Sequence, residues 1–185
     1  MVARLVILDR DGVINHDSDE FIRTPDEWRP IDGSLEAIAT LSAAGFEVAV
    51  ATNQSGVGRG LIDKPTLEAI HDKMRKLVRE AGGDIGRIVY CPHHPDDGCD
   101  CRKPAVGLLR QLSRYYGLSL DGVPMIGDSL RDVDAALSAG GRPILVLTGN
   151  GRRTLGEVEA RGGDVECYAD LATAAEALSA ELKHR

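Results

Sequence analysis

The stretch LVILDRDGV, residues 5–13, joins four aliphatic residues to two carboxylates that stand two positions apart, Asp9 and Asp11. Consecutive aliphatic residues are typical of a short strand that is buried on both faces, as the strands of a parallel sheet are. A carboxylate is rarely buried unless it is paired with a positive charge or binds a metal ion. The stretch therefore predicts a central strand with a functional site at its carboxyl end.

Short apolar runs alternate with amphipathic segments along the rest of the chain. Leu67, Ile70, Met74 and Val78 recur at the spacing of one buried helix face. Strands that alternate with helices form a parallel sheet covered on both faces, because each parallel crossover needs a helix. The pattern predicts an α/β fold with a doubly wound, Rossmann-like parallel sheet. The predicted strands are 5–8, 47–51, 87–90, 123–126, 143–147 and 165–168, the predicted helices are 35–43, 67–81, 106–116, 133–139 and 171–182, and the glycine-rich stretches 56–60 and 149–153 are expected to be loops.

Length and composition limit what the chain can form. With 185 residues, 43% of them hydrophobic, it can bury the core of one domain, and we expect a single domain over residues 1–185. The net charge of -7 disfavours a nucleic-acid partner, because nucleic-acid phosphates bind clustered lysine and arginine. The pattern shows no conspicuous apolar patch beyond the core, which favours a monomer.

The hydropathy pattern gives no sign of a membrane segment. No apolar run approaches the roughly 20 residues that a membrane-spanning helix needs. Residues 1–13 carry a charge inside their apolar stretch, where a signal peptide would have an uninterrupted apolar core. We therefore expect a cytoplasmic protein without a membrane partner.

Polar side chains follow the predicted strands where the strands end. In an open parallel sheet, ligands bind beyond the carboxyl ends of the strands, so these side chains are expected to converge. Carboxylates suit Mg²⁺, and a lysine with a hydroxyl suits phosphate, although each aspartate could instead cap a helix or form a turn. The coincidence of several strand ends favours a site for Mg²⁺ and phosphate. The residues are Asp9 and Asp11, Thr52 and Asn53, Arg102 and Lys103, and Asp128 with Asp132.

Residues 91–104 contain Cys91, Cys99 and Cys101 together with two histidines, at positions 93 and 94. In a reducing compartment such a cluster indicates a metal site sooner than disulfide bonds. Three thiolates and one imidazole complete the tetrahedral coordination of a structural Zn²⁺. The alternative is a surface loop of reduced cysteines without a ligand. Because the loop is almost wholly polar, zinc would have to order it.

The motifs at the strand ends resemble those of a known family. DRDGV at 9–13, Thr52, Lys103 before a predicted helix and GDSLRD at 127–132 follow the order and spacing of the four motifs of the haloacid dehalogenase superfamily of phosphohydrolases. The resemblance covers about the first 150 residues. It implies the haloacid dehalogenase type of doubly wound sheet and a phosphatase activity.

Within that superfamily, three longer stretches resemble the heptose bisphosphate phosphatases. They are LDRDGVIN at 8–15, ATNQSGVGRG at 51–60 and the cysteine loop at 91–104. The resemblance implies hydrolysis of the 7-phosphate of a heptose 1,7-bisphosphate, a step toward bacterial surface polysaccharide. Histidinol-phosphate phosphatases share much of the pattern and are the alternative.

The resemblance also implies a mechanism. Asp9 is expected to be the nucleophile that forms an aspartyl phosphate, and Asp11 the general acid and base. Mg²⁺ is expected to bind the side chains of Asp9 and Asp128 and the backbone carbonyl of Asp11. Gly12 would let the backbone leave the strand steeply.

The remaining site residues receive expected roles from the same resemblance. Thr52 would contact a phosphoryl oxygen, and Lys103 would bridge the phosphate and the nucleophile. Asp132 would orient Lys103 or a metal-bound water, and Asn53 and Arg102 would contact phosphate or sugar. The zinc ligands implied are Cys91, His93, Cys99 and Cys101.

The chain has no room for a large mobile cap beyond its sheet. We therefore expect a minimal cap, with residues 16–30, the glycine-rich stretch 56–60 and the zinc loop at the rim of an open pocket. Such a pocket would admit a polar sugar phosphate.

Two further hypotheses are a DNA 3′-phosphatase, which would need a basic stripe, and a binding module with a zinc loop but no activity. The second is disfavoured because none of the motif residues is missing.

Overall fold

The computed structural model describes residues 4–183. Within them the strands are β1 (Arg4–Leu8), β2 (Phe46–Asn53), β3 (Ile88–Cys91), β4 (Pro124–Gly127), β5 (Arg142–Val146) and β6 (Glu166–Tyr168). They form one parallel sheet of six strands in the order β3-β2-β1-β4-β5-β6. The predicted α/β class and doubly wound parallel sheet are confirmed.

Helices connect the strands and cover both faces of the sheet. They are α1 (Ser34–Ala43), α2 (Ser55–Gly58), α3 (Lys64–Glu80), α4 (Gly107–Tyr116), α5 (Leu130–Ser138), α6 (Gly151–Ala160) and α7 (Leu171–Lys183). Asp63 precedes α3, and its Oδ1 accepts a hydrogen bond from Thr66 N at 2.8 Å. An aspartate at this position satisfies a backbone N–H that the first turn of a helix leaves unpaired.

β1 is buried on both of its faces. Val6 and Leu8 belong to one apolar cluster, which also contains Trp28, whereas Leu5 and Ile7 belong to the cluster formed with α4 and α5. Successive side chains of a strand point to opposite faces, so a strand covered twice must be apolar throughout. This is the physical reason for the aliphatic run that precedes Asp9.

The direction of the connections reverses beside β1. The chain goes from β1 to β2 and β3 on one side, and then returns to β4, β5 and β6 on the other side. Asp9 N donates to the carbonyl of Ile126 in β4 at 2.9 Å. In an open sheet a crevice forms beyond the carboxyl ends of the strands at this point. The polar residues after β1, β2 and β4 therefore surround one space.

The loop predictions for 56–60 and 149–153 were wrong in part. α2 occupies residues 55–58, and α6 begins at Gly151. α6 buries only Gly151, Thr154 and Val158, so its sequence lacks the run of large apolar residues that identifies a helix face. α2 is a single turn whose glycines disfavour a helix by intrinsic propensity.

Residues 16–30 lie along the rim of the crevice. The segment contains a short 3-10 turn, Pro25–Glu27, and its Trp28 is fully buried. Lys73 of α3 donates to the carbonyl oxygens of Pro25 at 2.6 Å and Trp28 at 3.2 Å. The segment is therefore attached to α3, and its residues 17–19, 21 and 22 border the crevice. None of the helices in the described part of the chain has the length and apolarity needed to cross a bilayer.

Candidate active site

Three separate elements bring Asp9, Lys103 and Asp132 into contact. Lys103 Nζ lies 3.0 Å from Asp9 Oδ1 and 2.6 Å from Asp132 Oδ1, and it donates to the carbonyl of Ala51 at 2.7 Å. Burial lowers the pKa of Lys103, but the charges of Asp132 and Asp9 outweigh burial and raise it above the ordinary value. The ammonium group is therefore charged and held beside the Asp9 carboxylate.

Asp132 holds Lys103 and also lies in the first turn of α5. Its Oδ2 accepts hydrogen bonds from the backbone N and the hydroxyl of Ser129, the residue that precedes the helix. A carboxylate in this position is favoured by the partial positive charge of the helix N-terminus. These contacts agree with the expected role of Asp132 in orienting Lys103.

Three carboxylates meet at the carboxyl ends of β1 and β4. Oxygens of Asp9, Asp128 and Asp132 lie within 4.8 Å of one another. Burial, reinforced by Asp132 and opposed by Lys103, raises the pKa of Asp9 to about 8, and burial raises the pKa of Asp128 to about 6. Three carboxylates stand against the single ammonium group of Lys103, so the ionised cluster carries excess negative charge. A set of hard oxygen donors with excess negative charge fits Mg²⁺.

Two glycines allow the backbone to pack directly against Asp128. Gly12 has φ +79° and Gly149 has φ +55°, and a β-carbon on either would overlap Asp128 Oδ2. Asn150 donates to the same oxygen from its backbone N at 2.8 Å and from its side chain at 3.2 Å. The described residues donate hydrogen bonds only to Oδ2 of this carboxylate. Its Oδ1 is left for a ligand such as a cation.

The side chain of Asp11 lies outside this cluster of carboxylates. It accepts hydrogen bonds from Asn15 at 2.9 Å, Gln54 at 2.7 Å and Arg10 at 2.9 Å. Burial raises the pKa of Asp11, but the charge of Arg10 and the hydrogen bonds outweigh burial and hold it below its ordinary value. The separation is compatible with the expectation that Asp11 offers only its backbone carbonyl to a metal.

Thr52 and Asn53 end β2 and border the crevice. Thr52 Oγ1 accepts from Gln54 Nε2 at 2.9 Å, so its own hydroxyl hydrogen remains available to a phosphoryl oxygen. Asn53 donates to the carbonyl of Lys103 at 3.1 Å and accepts from Lys103 N at 3.0 Å. The side chain of Asn53 therefore fixes the backbone of Lys103, a use that the sequence did not predict.

Arg102 borders the same crevice as residues 17–19, 21 and 22. Its Nη1 is buried and has no hydrogen-bond partner among the described residues. Burial and the nearby Arg131 lower the pKa of Arg102, and both arginines border the crevice. A buried guanidinium nitrogen without an acceptor is costly, and so is the repulsion of two like charges. The pair is therefore suited to an anionic group.

The predicted zinc ligands lie together in space. Sulfur atoms of Cys91, Cys99 and Cys101 are 3.1 to 3.5 Å apart, and His93 Nδ1 lies 3.6 Å from Cys91 Sγ and 3.2 Å from Cys101 Sγ. Two sulfurs bound at about 2.3 Å to one tetrahedral zinc would stand about 3.8 Å apart, close to these separations. The cysteines are free thiols. The cluster can hold a zinc ion.

The other histidine of this loop points elsewhere. His94 Nδ1 accepts from Asp96 N at 3.3 Å, and its backbone N donates to Asp97 Oδ2 at 2.8 Å. It thereby caps the 3-10 turn Pro95–Asp97. The choice of His93 as the ligand agrees with this geometry.

Sequence reasoning missed the residues that support the aspartates, namely Arg10, Asn15, Gln54 and Asn150. Arg10 carried a signal, since a charge that directly follows a buried strand needs a partner. The other three are amides in loops. Only the tertiary structure brings them against Asp11 and Asp128.

Two family models match the chain. The model described as polynucleotide kinase 3 phosphatase matches residues 4–129, and the model described as HAD-hydrolase-like matches residues 100–174. The first match spans the site from Asp9 to Asp128. Both matches agree with the superfamily resemblance of the strand-end motifs.

Curated relatives define the family more narrowly. The D-glycero-beta-D-manno-heptose-1,7-bisphosphate 7-phosphatase of Pseudomonas aeruginosa is 56% identical over 178 residues, which cover 96% of this chain and 99% of the relative. The chain belongs to this family of heptose bisphosphate phosphatases. A more distant heptose bisphosphate phosphatase, that of Escherichia coli, is 37% identical over 152 residues, or 78% of this chain and 79% of the relative.

Solved structures of heptose bisphosphate phosphatases share the fold. The crystal structure of D,D-heptose 1,7-bisphosphate phosphatase from Bordetella bronchiseptica, complexed with magnesium and phosphate, gives a TM-score of 0.91 at 54% identity and covers 96% of this chain and 99% of that one. The enzyme from Burkholderia thailandensis gives 0.73 at 41% identity, with 95% and 97% covered. The resemblance predicted from residues 8–15, 51–60 and 91–104 is confirmed.

Proposed function

We propose that the protein is a Mg²⁺-dependent phosphatase that removes the 7-phosphate of D-glycero-β-D-manno-heptose 1,7-bisphosphate through an aspartyl-phosphate intermediate. The observation that carries the proposal is the 3.0 Å contact between Asp9 and the buried Lys103, beside Asp128, at the point where the sheet changes direction. Relatives that bear this name and share 54% to 56% of their residues with nearly the whole chain support the substrate.

The side chains divide the reaction between them. Asp9 attacks phosphorus while the bond from phosphorus to the sugar oxygen breaks, and Asp11 gives a proton to that leaving oxygen. Because the charge of Arg10 and the hydrogen bonds hold the pKa of Asp11 below its ordinary value, Asp11 must take up this proton before the step. Asp11 then takes a proton from the water that attacks the aspartyl phosphate, which releases phosphate and restores Asp9. Lys103 and Thr52 offset charge on the phosphoryl oxygens. Mg²⁺, when bound by Asp9, Asp128 and the backbone carbonyl of Asp11, adds positive charge at the same place.

The second phosphate of the substrate has a suitable partner in Arg102. Its buried Nη1 has no acceptor within residues 4–183, and Arg131 stands near it at the border of the same crevice. An anionic group beside the two guanidinium groups would supply the acceptor and remove their repulsion. Histidinol phosphate, which carries a single phosphate, would leave Arg102 without an acceptor once that phosphate reaches Asp9. This difference favours a bisphosphate.

The second candidate is a DNA 3′-phosphatase, because the polynucleotide kinase 3 phosphatase model matches residues 4–129. A bound DNA strand needs a positively charged path for its phosphates. Here the crevice is also bordered by Asp17 and Asp19, and the chain has a net charge of -7. The charges therefore favour the small sugar bisphosphate.

Zinc is the second metal of the proposal. Cys91, His93, Cys99 and Cys101 would bind it completely, so the ion has a structural role. Reduced cysteines in a metal cluster persist in a reducing compartment, which supports action in the cytoplasm.

We infer that residues 1–185 act as a single, monomeric phosphatase domain.

The proposal is tested by measuring phosphate release with Mg²⁺ from heptose 1,7-bisphosphate, histidinol phosphate and a 3′-phosphorylated oligonucleotide. The heptose should be hydrolysed fastest. Asp9→Asn should reduce turnover about a thousandfold or more, because removing a nucleophile removes the covalent route, while the circular dichroism spectrum stays unchanged. Asp84→Asn, an exposed aspartate far from the crevice, is the matched control.

The possible outcomes separate the candidates. Preference for histidinol phosphate would keep the mechanism and replace the substrate, and preference for the oligonucleotide would support the second candidate. Near-normal activity of Asp9→Asn would contradict the nucleophile assignment. Inactivity of the folded, metal-loaded protein on every substrate would support a binding module instead.

A further inference from the structure

Arg10 is a fully buried arginine whose contacts all involve other buried or half-buried polar groups. Its Nη2 donates to Asp11 Oδ1 at 2.9 Å and to Gln54 Oε1 at 3.1 Å, and its Nε donates to Asp11 Oδ1 at 3.1 Å. Its Nη1 lies 3.4 Å from Nε2 of His71. The guanidinium group therefore contacts Asp11 along one edge and His71 along another.

His71 lies on α3, is 1% exposed and has no part in the proposed reaction. An arginine can only donate hydrogen bonds, so Nε2 of His71 must be the acceptor and carry no proton. Burial, and then the charge of Arg10, lower the pKa of His71 to about 3, which agrees with a neutral ring. The ring also packs at a tilt against Tyr90, with centroids 5.9 Å apart.

The Asp11 carboxylate depends on this arrangement for its position. Oδ1 accepts from Arg10 and Asn15, and Oδ2 accepts from Arg10 and Gln54. A guanidinium that donates to both oxygens fixes the plane of the carboxylate as well as its distance. Any shift of Arg10 therefore shifts the group that must reach the leaving oxygen.

We propose that Arg10 is a positioning residue for Asp11 in proton transfer, and that His71 positions Arg10 from α3. The inference rests on the proposed function, because it assigns both residues to the step in which the leaving sugar oxygen is protonated. The competing explanation is a buried ion pair that serves the fold alone. A displacement of about 1 Å at a catalytic group costs up to a hundredfold in rate, so the positioning role has a measurable effect.

The test compares two kinds of leaving group. A sugar alkoxide needs a proton as it leaves, whereas p-nitrophenolate leaves without one, so only the sugar ester depends on Asp11 as an acid. The value of kcat/KM reports the steps through the departure of the leaving group and omits the later hydrolysis of the aspartyl phosphate. The readout is the ratio of kcat/KM for heptose 1,7-bisphosphate to kcat/KM for p-nitrophenyl phosphate, measured with Mg²⁺ and zinc present.

Two substitutions of His71 form the central comparison. His71→Phe keeps the ring and removes the acceptor, and it should lower the ratio about tenfold or more. His71→Gln returns an acceptor oxygen and should restore most of the ratio. Arg10→Lys keeps the charge and loses the two-pronged contact, so it should lower the ratio as well. Met74→Ala, which removes a buried apolar side chain from the same helix, is the control and should leave the ratio unchanged.

Each outcome has a defined meaning. An equal fall on both substrates, no fall on either, or equal ratios for the phenylalanine and glutamine variants would overturn the inference. If the wild-type protein hydrolyses histidinol phosphate and not heptose 1,7-bisphosphate, histidinol phosphate replaces the heptose in the ratio of kcat/KM values. The roles of Arg10 and His71 are then still tested, although the proposed substrate is refuted. Wild-type inactivity on both alkyl phosphates would refute the proposed function and the inference together. If His71→Phe does not fold, Arg10→Lys decides.

Discussion

Gly12 shows how one residue combines two requirements of the site. It follows the two aspartates in a left-handed conformation, φ +79°, and it packs against the carboxylate of Asp128. The conformation disfavours any side chain, and the contact excludes a β-carbon at this place. The two effects can be separated because Gly82 has a similar φ of +91° but open space around it.

Gly12→Ala is expected to lose most Mg²⁺ affinity and activity, because the added methyl group displaces Asp128. The backbone strain should also lower the free energy of unfolding by about 1 to 3 kcal/mol. Isothermal titration with Mg²⁺ and urea unfolding measure the two effects. Gly82→Ala should show the strain alone and bind Mg²⁺ normally, and equal Mg²⁺ affinity in the two variants would contradict the steric argument.

Individual side chains differ in how far sequence reasoning could locate them. Asp9, Lys103 and Asp128 meet as expected, because the order of motifs along strand ends determines their neighbours in a parallel sheet. Asn53 was expected at the substrate, yet its amide bonds the backbone of Lys103. A local sequence contains no signal for a hydrogen bond to a residue fifty positions away.

At the scale of elements, the cysteine loop connects a metal site to the catalytic lysine. Cys101 is followed directly by Arg102 and Lys103, and Asn53 at the end of β2 holds the backbone of Lys103 from the other side. Gly107 N at the start of α4 donates to the carbonyl of Asp100 at 3.0 Å. These hydrogen bonds hold the end of the loop that carries Lys103, and zinc would hold the segment from Cys91 to Cys101.

Removal of zinc should lower kcat although it removes no catalytic group, because the loop that carries Lys103 would lose its order. Chelation followed by metal analysis and kinetics with excess Mg²⁺ measures this effect. Cys99→Ser should behave in the same way, whereas Cys167→Ser, which lies outside the cluster, should retain zinc and activity. Unchanged kinetics after verified zinc loss would contradict the connection between the loop and the lysine.

Helix α6 could not be predicted from the spacing of apolar residues in the sequence. Its sequence reads as a loop from residue 149, since glycine and arginine dominate its start. The structure forms a helix because Gly151 fits closely against the carbonyl of Val146 and Thr154 bonds the carbonyl of Asp128. Tertiary contacts, rather than an apolar stripe, stabilise this element.

At the scale of the whole molecule, the carboxylate cluster connects stability to pH. The pKa of Asp9 is raised from 3.8 to about 8 in the folded, metal-free protein. The contribution of Asp9 to stability is then fully present below its unfolded pKa near 3.8 and is lost as the pH rises through about 8. The unfolded chain ionises Asp9 freely, whereas the folded chain does so beside Asp128 and Asp132.

Metal-free protein should therefore become less stable as the pH rises from 5 to 9, and Mg²⁺ should stabilise it more at the higher pH. Mg²⁺ binds the ionised carboxylates, so protons compete with it below pH 8. Thermal unfolding with and without Mg²⁺ across this range measures both trends. Asp9→Asn should flatten the metal-free curve, and a curve with the same slope in the variant would exclude Asp9 as its source.

The sequence by itself determined the class of fold, the family and the identities of the groups at the strand ends. These follow from local patterns: aliphatic runs form strands, helical spacing forms helices, and four motifs in order lie at one edge of a parallel sheet. The tertiary structure alone decided which amides hold Asp11 and Asp128, that Arg10 and His71 are buried together, and that Nη1 of Arg102 has no hydrogen-bond partner in the described part of the chain. Those contacts join residues far apart in the chain, and burial makes each of them necessary, because a polar group removed from water must find a partner wherever the fold supplies one.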